Sequence, residues 1–147
     1  RIIIDSKLEI PLDSKVIKTA KETRTIVVTG LDSDHIIIKK LKDLHIEIIQ
    51  KKASPNIDLN DLLNDLGSMG IDSILIEGGS YLLGQALVSN IIDKAFVFIA
   101  PKMVGGKDAL TPVGGSGIDL MKDAITLTQI KYHYFDEDIM IEGYFSK

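Results

Sequence analysis

The sequence has 147 residues, 45% hydrophobic and 26% charged, with a net charge of −4 and a pI near 5.3. That length suits one domain with a sizeable core, and the acidic balance argues against a nucleic-acid-binding surface. Without cysteine, disulfides, thiolate metal sites and cysteine nucleophiles are excluded. No apolar run approaches the roughly 20 residues of a membrane helix, and no signal-peptide pattern is present, so the expectation is a cytoplasmic protein with no membrane partner. Aromatics are sparse, and the Ile, Leu and Val that replace them favour buried strands.

The chain opens RIIIDS, already inside a strand pattern, as expected of a fragment of something longer. RIIID (1–5) predicts a buried strand, and 6–24, with its charges and Pro11, a loop holding one turn of structure. TIVVT (25–29) predicts a second strand, stopped by Gly30. Asp32, Ser33 and Asp34 offer caps for a helix over 34–43, with Ile37, Leu41 and Leu44 on one face. HIEII (45–49) reads as a third strand, KKASPN as a turn, and Asp58–Leu66 as a helix ending at Gly67 or Gly70. SILIE (73–77) reads as the fourth and most hydrophobic strand, Ser80–Val88 as a helix, and KAFVFIA (94–100) as a fifth strand. PKMVGGKDALTPVGGSGI is a loop, either a lid or a long connection, and 125–135 with 139–145 form a closing antiparallel hairpin. Strand–helix alternation implies parallel strands, so the fold class is α/β with a mixed, mostly parallel sheet and a C-terminal hairpin.

The stretch ILIEGGSYLLGQAL (74–87) carries the chemistry. In open α/β sheets ligands sit beyond the carboxyl ends of strands, which is where Glu77 falls. Gly78 and Gly79 lack side chains, so a ligand could lie against the backbone. The helix starting at Ser80 aims N–H groups and its positive dipole end at the same place, which suits a phosphate. Gly84, one turn further in, would let the helix or a ligand approach closely. The plain alternative is a geometric turn with Glu77 as a helix-capping carboxylate. The segment is neither GxGxxG nor a P-loop, which lowers a Rossmann-type nucleotide-binding module. His35, His45 and His133 have no metal-ligand spacing, so no metal is expected. Asp136, Glu137 and Asp138 read as turn residues, and Lys39, Lys40 and Lys42 as a solvated helix face.

RIIIDSKLEIPLDSKV, ILIEGGSYLLGQAL and APKMVGGKDALTPVGG, in that order, resemble the C-terminal reductase domain of the bifunctional riboflavin-biosynthesis deaminase/reductase. The resemblance runs over essentially the whole chain. It implies a dihydrofolate-reductase-like fold and NADPH-dependent reduction of 5-amino-6-(5-phosphoribosylamino)uracil to its ribitylamino product. By this resemblance Glu77 contacts the substrate, and Gly78, Gly79, Ser80, Tyr81, Leu82, Leu83 and Gly84 hold the cofactor across a cis Gly-Gly peptide. Ser6 would lie near the adenosine 2′-phosphate, favouring NADPH over NADH. The implied partners are the phosphorylated ribosylamino-pyrimidine and a second copy of the chain. The family's preceding strand, lysine motif, ADDP-like loop and zinc deaminase half are not in the sequence, so a single partial reductase domain is expected. The alternatives are a dihydrofolate reductase proper, a related pyrimidine reductase, or a non-catalytic fragment that self-associates.

Overall fold

The structure, a computed structural model, describes all residues except Ser33, 53–55 and Lys147. It divides into two compact units, Arg1–Ile71 and Asp72–Lys147, each described by itself.

The first unit is built on a parallel sheet, β1 (Ile2–Ile4), β2 (Ile26–Thr29) and β3 (Glu47–Gln50), with β2 in the centre. Ile2 pairs with Ile26, and Ile26 with Glu47. All four β2 residues are buried, as a central strand covered on both faces must be. Val27 packs in a cluster with Leu8, Ile17, Ala20, Ile38, Leu41 and Ile46. Ile17 comes from a single helical turn, α1 (Lys15–Lys18), and Ile38 and Leu41 from α2 (Ile36–Asp43), where a three-residue spacing puts both on one face. The third helix, α3 (Leu59–Ser68), buries Leu59, Leu62 and Leu66.

Helix ends explain where the expected boundaries shift. The cap of α2 is His35, whose Nδ1 accepts from the Ile37 N–H at 3.3 Å, rather than Asp32 or Asp34. Ser33, the third candidate, and Ala53 to Pro55 of the expected KKASPN turn lie outside the described residues. In α3 the Asp58 carboxylate caps, accepting from Asn60 and Asp61 N–H. At the far end of α2, Ile46 N–H donates to Leu41 O and His45 N–H to Lys42 O, a Schellman stop with His45 at φ 65°. His45 and Ile46 are therefore spent ending a helix, and the strand expected from 45 starts only at Glu47. The same two-bond stop recurs after α3, with Gly70 at φ 81°.

The second unit holds α4 (Ser80–Val88), β4 (Lys94–Ile99), a 3-10 turn (Met121–Asp123), β5 (Leu127–Phe135) and β6 (Asp138–Phe145). Its sheet is antiparallel, in the order β4-β6-β5. Phe135 pairs with Asp138 across a two-residue turn, so Asp138 opens β6 rather than belonging to the turn. A bulge in β5 between Thr128 and Lys131, with Gln129 at φ 52°, faces Gly143. A methyl on Gly143 would stand 3.0 Å from Leu127 Cβ; the glycine makes room for the bulged strand.

The mixed α/β class holds, but among the described residues parallel strands are not the majority: three are parallel and three antiparallel. The strand expected at 73–77 is absent; 71–79 carry neither strand nor helix, and Leu75 is 72% exposed. Branched apolar residues favour extended backbone, but a strand also needs a partner edge. In the second unit the ladder consists of β4, β6 and β5 alone. The loop expected at 101–118 is free of helix and strand.

Candidate functional site

Glu77 is exposed at the end of the 71–77 run, which carries neither strand nor helix, immediately before the two-glycine bend. Gly78 sits at φ 130°, a region that L side chains rarely adopt, and the Gly78–Gly79 peptide is cis. A methyl built on either glycine would meet nothing within 4 Å, so the bend opens onto free space. Gly79 is the N-cap of α4, extended at φ −63° and ψ 178°, and no side chain caps the helix. A helix start leaves its first N–H groups without intrahelical partners, and its dipole favours an anion there. The bare backbone and uncapped helix start fit a dinucleotide phosphate group.

Past the bend, Tyr81 is 56% exposed, Leu82 and Leu83 are half-buried, and Gly84 is buried. The close approach permitted at Gly84 is made by the chain's own loop: a methyl there would overlap the Gly114 carbonyl oxygen. Ser6 belongs to the first unit, in the turn after β1. Its carbonyl accepts from Gly30 N–H at 3.0 Å and from Thr29 Oγ1 at 3.2 Å. Ser6 is thus joined with Thr29 and Gly30 at the carboxyl ends of β1 and β2. Thr29 and Gly30 were legible only as the end of a strand; the signal that marks them is the Thr-Gly pair at that carboxyl edge.

A polar cluster on the antiparallel sheet escaped sequence reasoning altogether. Phe96 on β4 and Lys131 on β5 both pair with Glu142 on β6, and Lys94 pairs with Tyr144. The Glu142 side chain, 12% exposed, accepts from Lys94 Nζ at 2.7 Å and meets His133 Nε2 at 2.8 Å. The Lys94 ammonium beside it, then His133, hold the Glu142 carboxyl below the usual carboxylate range. In return Glu142 raises Lys94, whose ammonium also lies 4.8 Å from the Phe96 ring centroid and 5.0 Å from that of Tyr144. A cavity of about 240 Å³, bordered by Leu87, Asn90, Ile125 and Phe145, lies at the C-terminal end of α4, away from the bend, and includes no expected site residue. Among the described residues no cluster of His, Asp and Glu could hold a metal ion.

The RibD C-terminal domain matches residues 1–141. The chain belongs to that family. The RibD C-terminal domain described here is 43% identical over 143 residues to the riboflavin biosynthesis protein RibD of Actinobacillus pleuropneumoniae, covering 97% of this chain and 38% of that protein. It is 33% identical over 142 residues to the 2,5-diamino-6-ribosylamino-4(3H)-pyrimidinone 5′-phosphate reductase of Methanothermobacter thermautotrophicus, covering 97% of this chain and 64% of that one. The chain thus spans between about two fifths and two thirds of these relatives. Acinetobacter baumannii RibD shares the fold at TM-score 0.82 and 20% identity, over 99% of this chain and 37% of that one. The riboflavin biosynthesis reductase Rib7 of Saccharomyces cerevisiae follows at TM-score 0.76 and 19% identity, over 99% and 69%. The α/β class expected from the sequence is therefore that of RibD reductase domains. Among the described residues no helix is long and apolar enough to cross a membrane.

Proposed function

We propose that this RibD C-terminal domain carries the NADPH-dependent reduction of 5-amino-6-(5-phosphoribosylamino)uracil to the ribitylamino product. The observation that carries the reading is the open bend at Gly78 and Gly79, at the start of an uncapped helix, one residue after an exposed carboxylate. One relative named as a riboflavin biosynthesis protein and another named as a ribosylamino-pyrimidinone 5′-phosphate reductase support it.

The chemistry supplied by bound NADPH is hydride delivery to C1 of the open-chain or imine form of the ribosylamino sugar. This chain's residues bind and orient. Gly78 and Gly79 offer backbone without side chains, and the first turn of α4, from Ser80 through Leu83, meets the pyrophosphate charge. Glu77 hydrogen-bonds the polar edge of the pyrimidine and fixes its distance from the hydride donor. The reading includes a preference for NADPH over NADH. Acceleration comes mainly from holding the reactants in near-attack geometry. The reading includes self-association: Phe96, Phe98 and Phe135 on one face of the second sheet, and Tyr132 and Tyr134 on the other, are exposed apolar side chains, and sedimentation checks it.

The deciding experiment uses the intact protein. NADPH and NADH are titrated by nicotinamide fluorescence, and NADPH oxidation is followed with 5-amino-6-(5-phosphoribosylamino)uracil. The expected result is NADPH binding tighter than NADH and substrate-dependent oxidation. Absence of both overturns the reading; turnover only with 2,5-diamino-6-ribosylamino-4(3H)-pyrimidinone 5′-phosphate moves the domain to the substrate named for its archaeal relative.

A further inference from the structure

Glycine inside a helix costs about 1 kcal/mol relative to alanine, so a helical glycine asks for a packing reason. Two helices here contain one. In α3, a methyl at Gly67 would meet nothing within 4 Å. In α4, a methyl at Gly84 would overlap the Gly114 carbonyl oxygen and stand 2.8 Å from its carbonyl carbon. The contact is reciprocal, because a methyl on Gly114 would stand 3.1 Å from Ser80 Oγ and 3.3 Å from the Ser80 carbonyl carbon. The Gly114 N–H donates to the Ser80 carbonyl at 2.9 Å. Ser80 and Gly84, four residues apart, lie one above the other on a single stripe of the helix. The loop backbone therefore lies directly along the first turn of α4, with no side chain at Gly84 or Gly114 to hold it off.

The part of the loop before this contact has little to fix its course. Met103, Val104 and Leu110 are 102%, 85% and 98% exposed, so they bury almost no apolar surface. Where the segment runs is set by where it is fastened, and it is fastened to the same helical turn that follows the open bend.

We infer that Gly84 and Gly114 are positioning residues: they form a steric clasp that seats the 101–118 segment against the first turn of α4, making it a wall of the nucleotide-binding bend. The inference rests on the nucleotide reading above for what the wall encloses, and on the two glycines alone for the clasp. A wall acts on cofactor retention and leaves the hydride step as it is. Loosening it raises the Kd and KM for NADPH and leaves kcat at saturating cofactor largely unchanged, whereas a merely structural defect lowers the melting temperature without that split.

The test is Gly84→Ala in the intact protein, with Gly67→Ala as the control at a helical glycine that meets nothing. Alanine at Gly84 should raise the Kd and KM for NADPH by about tenfold or more. Tryptic cleavage after Lys102 and Lys107 should accelerate several-fold, with a cooperative melt retained; Gly67→Ala should match wild type in binding and cleavage. Should Gly84→Ala fail to fold, Gly114→Ala, outside any helix, carries the same measurements. Wild-type NADPH affinity together with wild-type cleavage rates in the clasp variant overturns the inference. If wild type itself binds no NADPH, the nucleotide reading falls, and the clasp stands or falls on the cleavage rates.

Discussion

Glu142 and His133 face each other across β6 and β5, Oε2 to Nε2 at 2.8 Å, and the other carboxylate oxygen of Glu142 accepts from Lys94 at 2.7 Å. One carboxylate thus ties together all three strands of the second sheet. Because Lys94 and then His133 depress its pKa in the folded state, its contribution is present above the unfolded value, about 4.3. It is lost as pH falls through the lower folded value. The expected outcome is an acid-side drop in melting temperature that is shallower in Glu142→Gln, alongside a lower melting temperature for the variant at neutral pH. Parallel acid slopes in both proteins would remove Glu142 from the account.

His45 occupies the left-handed position, φ 65°, that ends α2. A side chain there is strained by roughly 1–2 kcal/mol, and glycine is not. His45→Gly should raise stability by about 1 kcal/mol in urea unfolding, after some loss to the freer unfolded chain. Destabilisation would mean that the imidazole contributes more than its backbone strain costs.

What could be read in the sequence was whatever local pattern decides. The strand runs expected at 1–5, 25–29, 94–100 and 139–145 announce themselves by branched and aromatic residues and coincide with β1, β2, β4 and β6 to within a residue or two at each end, and α4 begins at Ser80, after the extended N-cap Gly79. His45 misled because αL stops are usually glycine or asparagine, so a histidine read as strand. SILIE misled for a different reason: propensity describes one chain segment, and a ladder is a property of two. The Glu142 cluster depends on the register between three strands, and the Gly84 contact on a loop arriving thirty residues later; neither is a local property. The two-glycine bend at 78–79 was legible as a local pattern, whereas the hydrogen bonds that join Ser6 to Thr29 and Gly30 were not.

Lys51, just past β3, reaches α3 with its ammonium 2.7 Å from both the Asp61 and the Asp65 carboxylates. Those two carboxylates are four residues apart on α3, where like charges repel by about 0.2–0.5 kcal/mol, and Lys51 neutralises that repulsion. Its pKa is raised, first by Asp61 and then by Asp65. The bridge therefore stabilises fully below the unfolded lysine value, about 10.4, and fades as pH rises through the folded one. Lys51→Met should lower the melting temperature at pH 7, narrow the gap to wild type in high salt, and flatten the loss of stability above pH about 10.4. A salt-independent gap would assign the loss to packing of the lysine stem.

The bend and the carboxylate before it should separate cleanly by mutation. A methyl at Gly79 meets nothing within 4 Å, and its φ of −63° is open to any L residue, so Gly79→Val has no steric reason to disturb the fold. Its branched side chain would fill the space proposed for the cofactor backbone. NADPH affinity should collapse by a hundredfold or more, equivalent to about 2.7 kcal/mol, with the melting temperature nearly unchanged. Glu77 precedes the glycine pair and is assigned here to the pyrimidine, so Glu77→Gln should lower kcat with the pyrimidine substrate and barely move the fluorescence titration of NADPH. Since a residue that acts only on bound substrate leaves the binary cofactor complex untouched, equal losses in titration and turnover would assign Glu77 to the nucleotide rather than to the pyrimidine. An unchanged titration for Gly79→Val would move the cofactor away from the bend altogether.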